Sequence, residues 1–302
     1  MTGVMVCRDC GAAMPGNDVS VLKDVKTPYK SKYRCNHPNS FNVFLGYDFI
    51  TDMLALIFPI DDNFINGWNH NPEKDGGNHY NLWIERAAQS LAEALRLTAS
   101  NKLDVDFTEL VTGYRLRKCG EIYYVDIYLY DSLSSGAGYA ARVAESIKEI
   151  LSDIEILLSS CNCDSACFKC LKHYQNRFVH GTLDRNFALQ LLQWGIKREI
   201  VAPIEPEIQF IMIEPLTNIL KLYGYTLTNT DNHEIFVDNE KSSTKIVVYP
   251  AMWKEPTEPN TIFVNDAYLK YAKPYAVQKI RDALNTCERC GSSENFCIEG
   301  RQ

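Results

Sequence analysis

The chain has 302 residues, 46% of them hydrophobic and 23% charged, with a net charge of −7 and eleven cysteines. That length suits two or three domains with sizeable cores. No run of ~18 apolar residues is present to cross a membrane, the opening MTGVMVCRDC lacks the layout of a secretion signal, and the acidic balance argues against a protein that coats DNA non-specifically. The expected setting is therefore the cytoplasm. There, an odd number of cysteines grouped as C-x-x-C pairs points to metal rather than to disulfides.

From the N-terminus, residues 1–40 read as a small metal-nucleated knuckle. CRDCG supplies Cys7 and Cys10, and YRCNH supplies Cys35 and His37, across a stretch too poor in apolar residues to fold unaided. Residues 46–60 alternate and then turn mostly apolar, which predicts one or two buried strands. A polar loop is expected over 61–81, then a helix over 82–98, where Leu82, Ile84, Ala88, Leu91 and Leu95 recur near helical spacing. Strands are predicted over 103–116 and, from EIYYVDIYLY, over 121–130. DSLSSGAG then turns into a long helix over 139–158, the main cysteine cluster follows, and another helix is expected over 184–199.

Pro203 and Pro206 mark a boundary. Beyond it the pattern predicts a helix over 208–222, strands over 225–228, 235–237, 245–249 and 261–264, and a helix over 272–285, before the chain returns to a C-x-x-C-G in CERCGSSENFC. The expected fold class is α+β: a zinc-stapled mixed domain over 41–202, flanked by the N-terminal knuckle and by a second small α/β domain over 203–302.

The strongest chemical signal is C-x-C-x3-C-x2-C. Cys161, Cys163, Cys167 and Cys170 can close a tetrahedron on one zinc ion and leave no open position for water, so the site is structural rather than catalytic. An iron–sulfur cluster would use the same ligands. Two further sets are candidate metal ligands. Cys7, Cys10, Cys35 and His37 form one, and Cys287, Cys290 and Cys297 form another with no obvious fourth member. The terminal knuckles can alternatively pair Cys7 and Cys10 with Cys287 and Cys290. Cys119 stands alone and reads as a buried apolar residue.

Lys169, Lys172, Arg177, Arg185, Lys197 and Arg198 meet a single acid, Asp184, within one window of this acidic chain. Lys169, Lys172, His173, Tyr174, Arg177 and Arg185 interleave charge with aromatic character, as a groove for single-stranded nucleic acid requires. The alternative is a solvated helix face whose Tyr174 and Phe178 are core residues. The 131–138 turn lacks the Gly-Lys-Ser/Thr ending of a nucleotide P-loop, and no recognised catalytic set occurs. Asp238, Glu240 and Lys245 lie near strands and only loosely suggest a metal-dependent nuclease.

YDSLSSGAGYAARV, the four-cysteine cluster and HYQNRFVHGTLDRNFAL together resemble the MrfA-type zinc-binding (MZB) domain over about residues 46–199. The family is found at the C-terminal end of superfamily-two DNA helicases, and a related domain occurs in the helicase partner of the DISARM phage-defence system. The resemblance carries Cys161, Cys163, Cys167 and Cys170 over as zinc ligands. It matches Asp131, Gly136 and Gly138 to the family's strand–turn–helix signature, and Leu183-Asp184-Arg185 to the following helix start. Ser135 stands where the family often has Gly, and Phe168 where it often has Pro; neither change removes a ligand. No helicase motor precedes the domain here. The resemblance therefore implies an accessory zinc module acting with a helicase or another defence or repair subunit, with single-stranded DNA as a candidate ligand. A nuclease site in the last domain and a pure protein–protein adaptor are the alternatives.

Overall fold

A computed structural model of the chain describes residues 3–16, 18–28, 32–36, 39–44, 49–61, 63–65, 82–239 and 243–290, with the backbone alone of 286–290. The fold is α+β, as the sequence pattern predicts, and the chain divides into two compact units, 1–50 and 51–302.

In the first unit, β1 (Val4–Cys7) lies between β2 (Ala13–Pro15) and β3 (Ser40–Val43), antiparallel to both. Its buried core is Met5, Cys7, Ala12, Leu22 and Cys35.

The second unit begins with β4 (Met53–Ile60), which pairs with β6 (Ile122–Asp131); β6 in turn pairs with β5 (Leu110–Cys119) in an antiparallel sheet of order β4-β6-β5. At the edge of this sheet, β4 can carry Pro59 without losing an inter-strand bond. Val125, Ile127 and Leu129 point inward and are wholly buried. They face α1 (Leu82–Leu103), whose Ala87, Ala88, Leu91, Ala92, Ala94, Leu95 and Ala99 are also wholly buried. The many alanines of this helix let its neighbours approach closely, with the sheet on one side of it and two further helices on the other.

Those two helices are α3 (Ile147–Ser159) and α4 (Arg185–Lys197). Gly195 of α4 is a close-approach position: a Cβ there would lie 2.1 Å from the ring of Phe58 on β4. The single helix expected over 139–158 is broken. α2 (Tyr139–Glu145) ends at Ser146, whose hydroxyl donates to the carbonyl of Arg142 and competes with the helical ladder before α3 begins. Similarly, the strand expected from residue 103 starts only at Leu110. Leu103 is still the end of α1, and a 3-10 turn over Phe107–Glu109 intervenes, capped by the Asp106 side chain.

A second core lies within this unit. α5 (Pro206–Ile213) and α6 (Thr217–Leu222) precede β7 (Thr226–Asn229), β8 (Ile235–Asp238), β9 (Ser243–Tyr249) and β10 (Thr261–Asn265), a sheet of order β10-β9-β8-β7 in which only β9 and β10 run parallel. α7 (Asp266–Tyr271), capped by Asn265, and α8 (Lys273–Cys290) close it. The sequence pattern predicted only the second of these two helices. Most of the loop expected over 61–81 falls outside the described residues. Among the described residues, no helix is long and apolar enough to cross a membrane.

Candidate metal centre and its flanking strip

The turn that opens α2 sets the geometry upstream of the cysteines. Asp131, wholly buried at the end of β6, accepts hydrogen bonds from the backbone N–H groups of Ala137, Tyr139 and Ala140 at 2.6, 3.0 and 2.8 Å. The anion at this helix N-terminus is thus the chain's own carboxylate, and it occupies the amides that a phosphate would need.

After α3 the chain folds on itself and brings four thiols together. The Sγ atoms of Cys161, Cys163, Cys167 and Cys170 all lie within 4.8 Å of one another. Cys161 to Cys167 and Cys163 to Cys170 are both 3.6 Å, and Cys167 to Cys170 is 3.9 Å. A zinc tetrahedron with Zn–S of about 2.3 Å has edges of about 3.8 Å, so the spacing fits that ion. Backbone amides already turn toward the sulfurs: Cys167 N–H lies 3.2 Å from the Cys170 sulfur, and Lys169 N–H lies 3.4 Å from that of Cys167.

Three of the thiols are unevenly poised toward a cation. The Lys169 N–H holds the Cys167 thiol down to about 7, whereas burial pushes Cys163 up to about 12 and raises Cys170. Buried thiols that resist ionisation are ionised by a coordinated metal. Cys170 and Leu171 belong to the main core, and the other three sulfurs pack against it.

The loop's carbonyls are tied down from outside. Arg185 donates from Nε to Cys163 O (2.8 Å) and from Nη1 to Leu158 O (2.9 Å); Asn186 reaches Asp164 O, and Lys270 Nζ reaches the same oxygen at 2.7 Å. Asp184 organises these donors. Wholly buried, it caps α4 through the N–H groups of Asn186 and Phe187, and its other oxygen accepts from Lys270 Nζ (2.8 Å) and the Tyr271 hydroxyl. Arg185, expected to face nucleic acid, therefore spends its guanidinium on the cysteine loop.

Beyond Cys170 the remaining candidates separate into two groups. His173 caps the 3-10 turn Tyr174–Val179 and stacks on Phe107 with centroids 4.6 Å apart. Buried Asn176 bonds Glu93 of α1 and the carbonyl of Leu171, and its side-chain oxygen lies 2.9 Å from the His180 ring. These residues fix the turn. Tyr174 and Phe178, by contrast, are 73% and 85% exposed, which overturns the reading of both rings as core. The Arg177 guanidinium lies 4.9 Å from one ring centroid and 4.8 Å from the other. Exposed Lys169 and Phe168 adjoin in sequence, and Lys172 is half-buried. Phe168 was missed as a surface aromatic. The signal was its place between two cysteines of the cluster: when Cys167 and Cys170 turn inward, the two residues between them are thrown outward.

Residues 91–171 match MZB, the MrfA Zn-binding domain. The MZB match runs from Leu91 in α1 to Leu171, one residue past Cys170, and so contains all four thiols; zinc is its cofactor. The chain is also 30% identical over 306 residues to Druantia protein DruE from Escherichia coli (strain UMEA 4076-1), a similarity that takes in 94% of this chain and 16% of that protein. The chain thus spans about a sixth of the length of the curated relative it matches. Two crystal structures of the DUF1998 helicase MrfA are similar in part. The complex with DNA and AMPPNP is 16% identical, with 52% of this chain and 17% of that one covered at a TM-score of 0.35. The complex with DNA is 12% identical, with 64% and 34% covered at a TM-score of 0.31.

Elsewhere, Cys7, Cys10 and Cys35 bring their sulfurs within 4.8 Å of one another. Their expected companion His37, along with Cys297 and the side chains of Cys287 and Cys290, lies outside the described residues. Cys119 ends β5 and is exposed, not buried as its isolation suggested. Of the loosely grouped nuclease candidates, Asp238 accepts from the Thr228 hydroxyl and Lys245 pairs with Glu234 at 2.7 Å, while Glu240 is outside the described residues. Among the described residues, three or more metal-ligating side chains converge only at the two cysteine clusters.

Proposed function

We propose that the chain is a non-catalytic, zinc-stapled module that acts beside a DNA helicase and presents the strip Lys169–Phe178 to single-stranded DNA. In this reading Cys161, Cys163, Cys167 and Cys170 are the four zinc ligands, and the closed site serves to hold the strip in place. The observation that carries the reading is Arg177 set between two solvent-exposed aromatic rings, immediately after the metal loop. Rings that lie open to water beside a cation offer π-faces to unstacked bases and a charge to the backbone. The structural residues His173, Asn176 and His180 pre-organise this turn, which lowers the ordering cost of binding.

The helicase partner is proposed from the MZB match, and a setting in phage defence from the similarity to Druantia protein DruE. The test is binding of a fluorescent single-stranded oligonucleotide as a function of salt. Lys172→Ala/Arg177→Ala should weaken binding and flatten its salt dependence, while Tyr174→Ala/Phe178→Ala should cost on the order of 1–3 kcal/mol per lost stack at little change in salt slope. Equal affinity in wild type and both double variants would sink the DNA reading and leave the strip as a surface for a protein partner.

A further inference from the structure

Among the described residues of 1–50, the buried core is small for a unit that folds unaided. Five described side chains are buried there, Met5, Cys7, Ala12, Leu22 and Cys35, and two of the five are thiols. The strands around them are four, three and four residues long. Units of this size with so few apolar residues ordinarily need a disulfide or a metal.

Local backbone geometry aims three sulfurs at one point. The chain leaves β1 at Cys7 and doubles back at once: Gly11 N–H donates to Cys7 O at 2.9 Å, and Cys7 N–H donates to Ala12 O at 2.9 Å. Gly11 takes a φ of +72°, a left-handed conformation that glycine adopts without strain. That turn sets Cys10 over Cys7. Cys35 arrives from a different segment, held by its N–H to Val25 O at 2.7 Å and by Asp24 N–H to its carbonyl. No regularity of a strand or helix requires these three residues to meet, yet their sulfurs lie within 4.8 Å of one another, with Cys7 and Cys35 almost fully buried.

We infer that Cys7, Cys10 and Cys35 hold a second zinc ion, separate from the MZB site, and that this ion takes the place of a hydrophobic core in residues 1–50. The MZB match begins at residue 91 and does not reach this cluster. Three thiolates favour a soft, tetrahedral divalent cation over Mg²⁺ or Ca²⁺, and they leave one coordination position for a further donor. The site is independent of the proposed DNA-facing strip.

The test is metal content of the full chain, purified without chelator. Cys7→Ser/Cys35→Ser should lose one zinc per chain relative to wild type, and Cys163→Ser/Cys170→Ser should lose one other. The first variant is expected to lose local structure too, so a measurement on the wild-type chain keeps the inference falsifiable. Alkylation read by peptide mapping should leave Cys7, Cys10 and Cys35 protected until a strong chelator is added, after which all three label. Unchanged zinc content in the Cys7→Ser/Cys35→Ser chain, identical labelling with and without chelator, or a disulfide between any two of the three would each overturn it.

Discussion

Cys170 sits at the edge of a core assembled from α1, α3, α4 and a sheet face, whereas Cys7 and Cys35 are themselves two of the five buried side chains among the described residues of 1–50. The same ligand chemistry therefore does different structural work in the two regions. Around the four-thiol loop, protein donors from Arg185, Asn186 and Lys270 already hold the backbone, and a metal locks what packing has placed. Around the three-thiol cluster the described residues supply little packing to lock, so the inferred ion would make binding and folding one event.

The largest consequence follows from removing metal altogether. On chelation, amides of β1 and β3 should lose nearly all protection from hydrogen exchange, while those of α1, whose alanines are wholly buried, should keep theirs. Persistent protection in β1 after chelation would erase the contrast, because the small unit would then be standing without its ion.

A smaller effect separates the protein's hold on the four-thiol loop from the metal's. Asp184→Ala removes the cap of α4 and strips Lys270 and Tyr271 of a wholly buried carboxylate. Leaving a partly buried ammonium with only Asp164 to bond and losing a cap should together cost about 3–5 kcal/mol in urea unfolding. The zinc content of the four-thiol site should nevertheless remain, since no ligand is touched. Loss of that zinc in a chain that is still folded would show that the loop depends on Asp184 as much as on its own sulfurs.

Periodicity made the larger framework legible. The apolar recurrence over 82–98 is α1, and the alternation in EIYYVDIYLY is β6, because in both the pattern records which face meets the core. Cysteine spacing likewise exposed the four-thiol loop, since its four cysteines are local. What escaped were features set by distant contacts or by single-residue competition. Ser146, at φ −106° and ψ 19° with its hydroxyl on the Arg142 carbonyl, interrupts a helix whose apolar pattern runs on unbroken. Asp184 looks like an ordinary cap, and nothing near it in the chain announces Lys270, which lies 86 residues away. Arg185 looked like a free cation because carbonyls that recruit a guanidinium leave no trace in residue type. Tyr174 and Phe178 are apolar enough to read as core, and only the short 3-10 turn, with buried Asn176 facing the opposite way, puts both rings outside.

That last point yields the smallest and sharpest prediction. Leu171 and Phe178 are seven residues apart, both large and apolar, yet one is 1% exposed and the other 85%. Leu171→Ala should cost about 2–5 kcal/mol, as the loss of a packed side chain beside the metal loop leaves a cavity in the main core. Phe178→Ala and Tyr174→Ala should each change stability by no more than about 0.5 kcal/mol, because each ring has little contact to lose beyond Arg177. The two groups are compared in the same urea titration, with zinc bound. If Phe178→Ala destabilises the chain as Leu171→Ala does, its ring is packed in solution and unavailable to stack on a base. A stability-neutral Phe178→Ala would leave the ring free of any folding role, so that a loss of oligonucleotide affinity in the same variant belongs to binding alone.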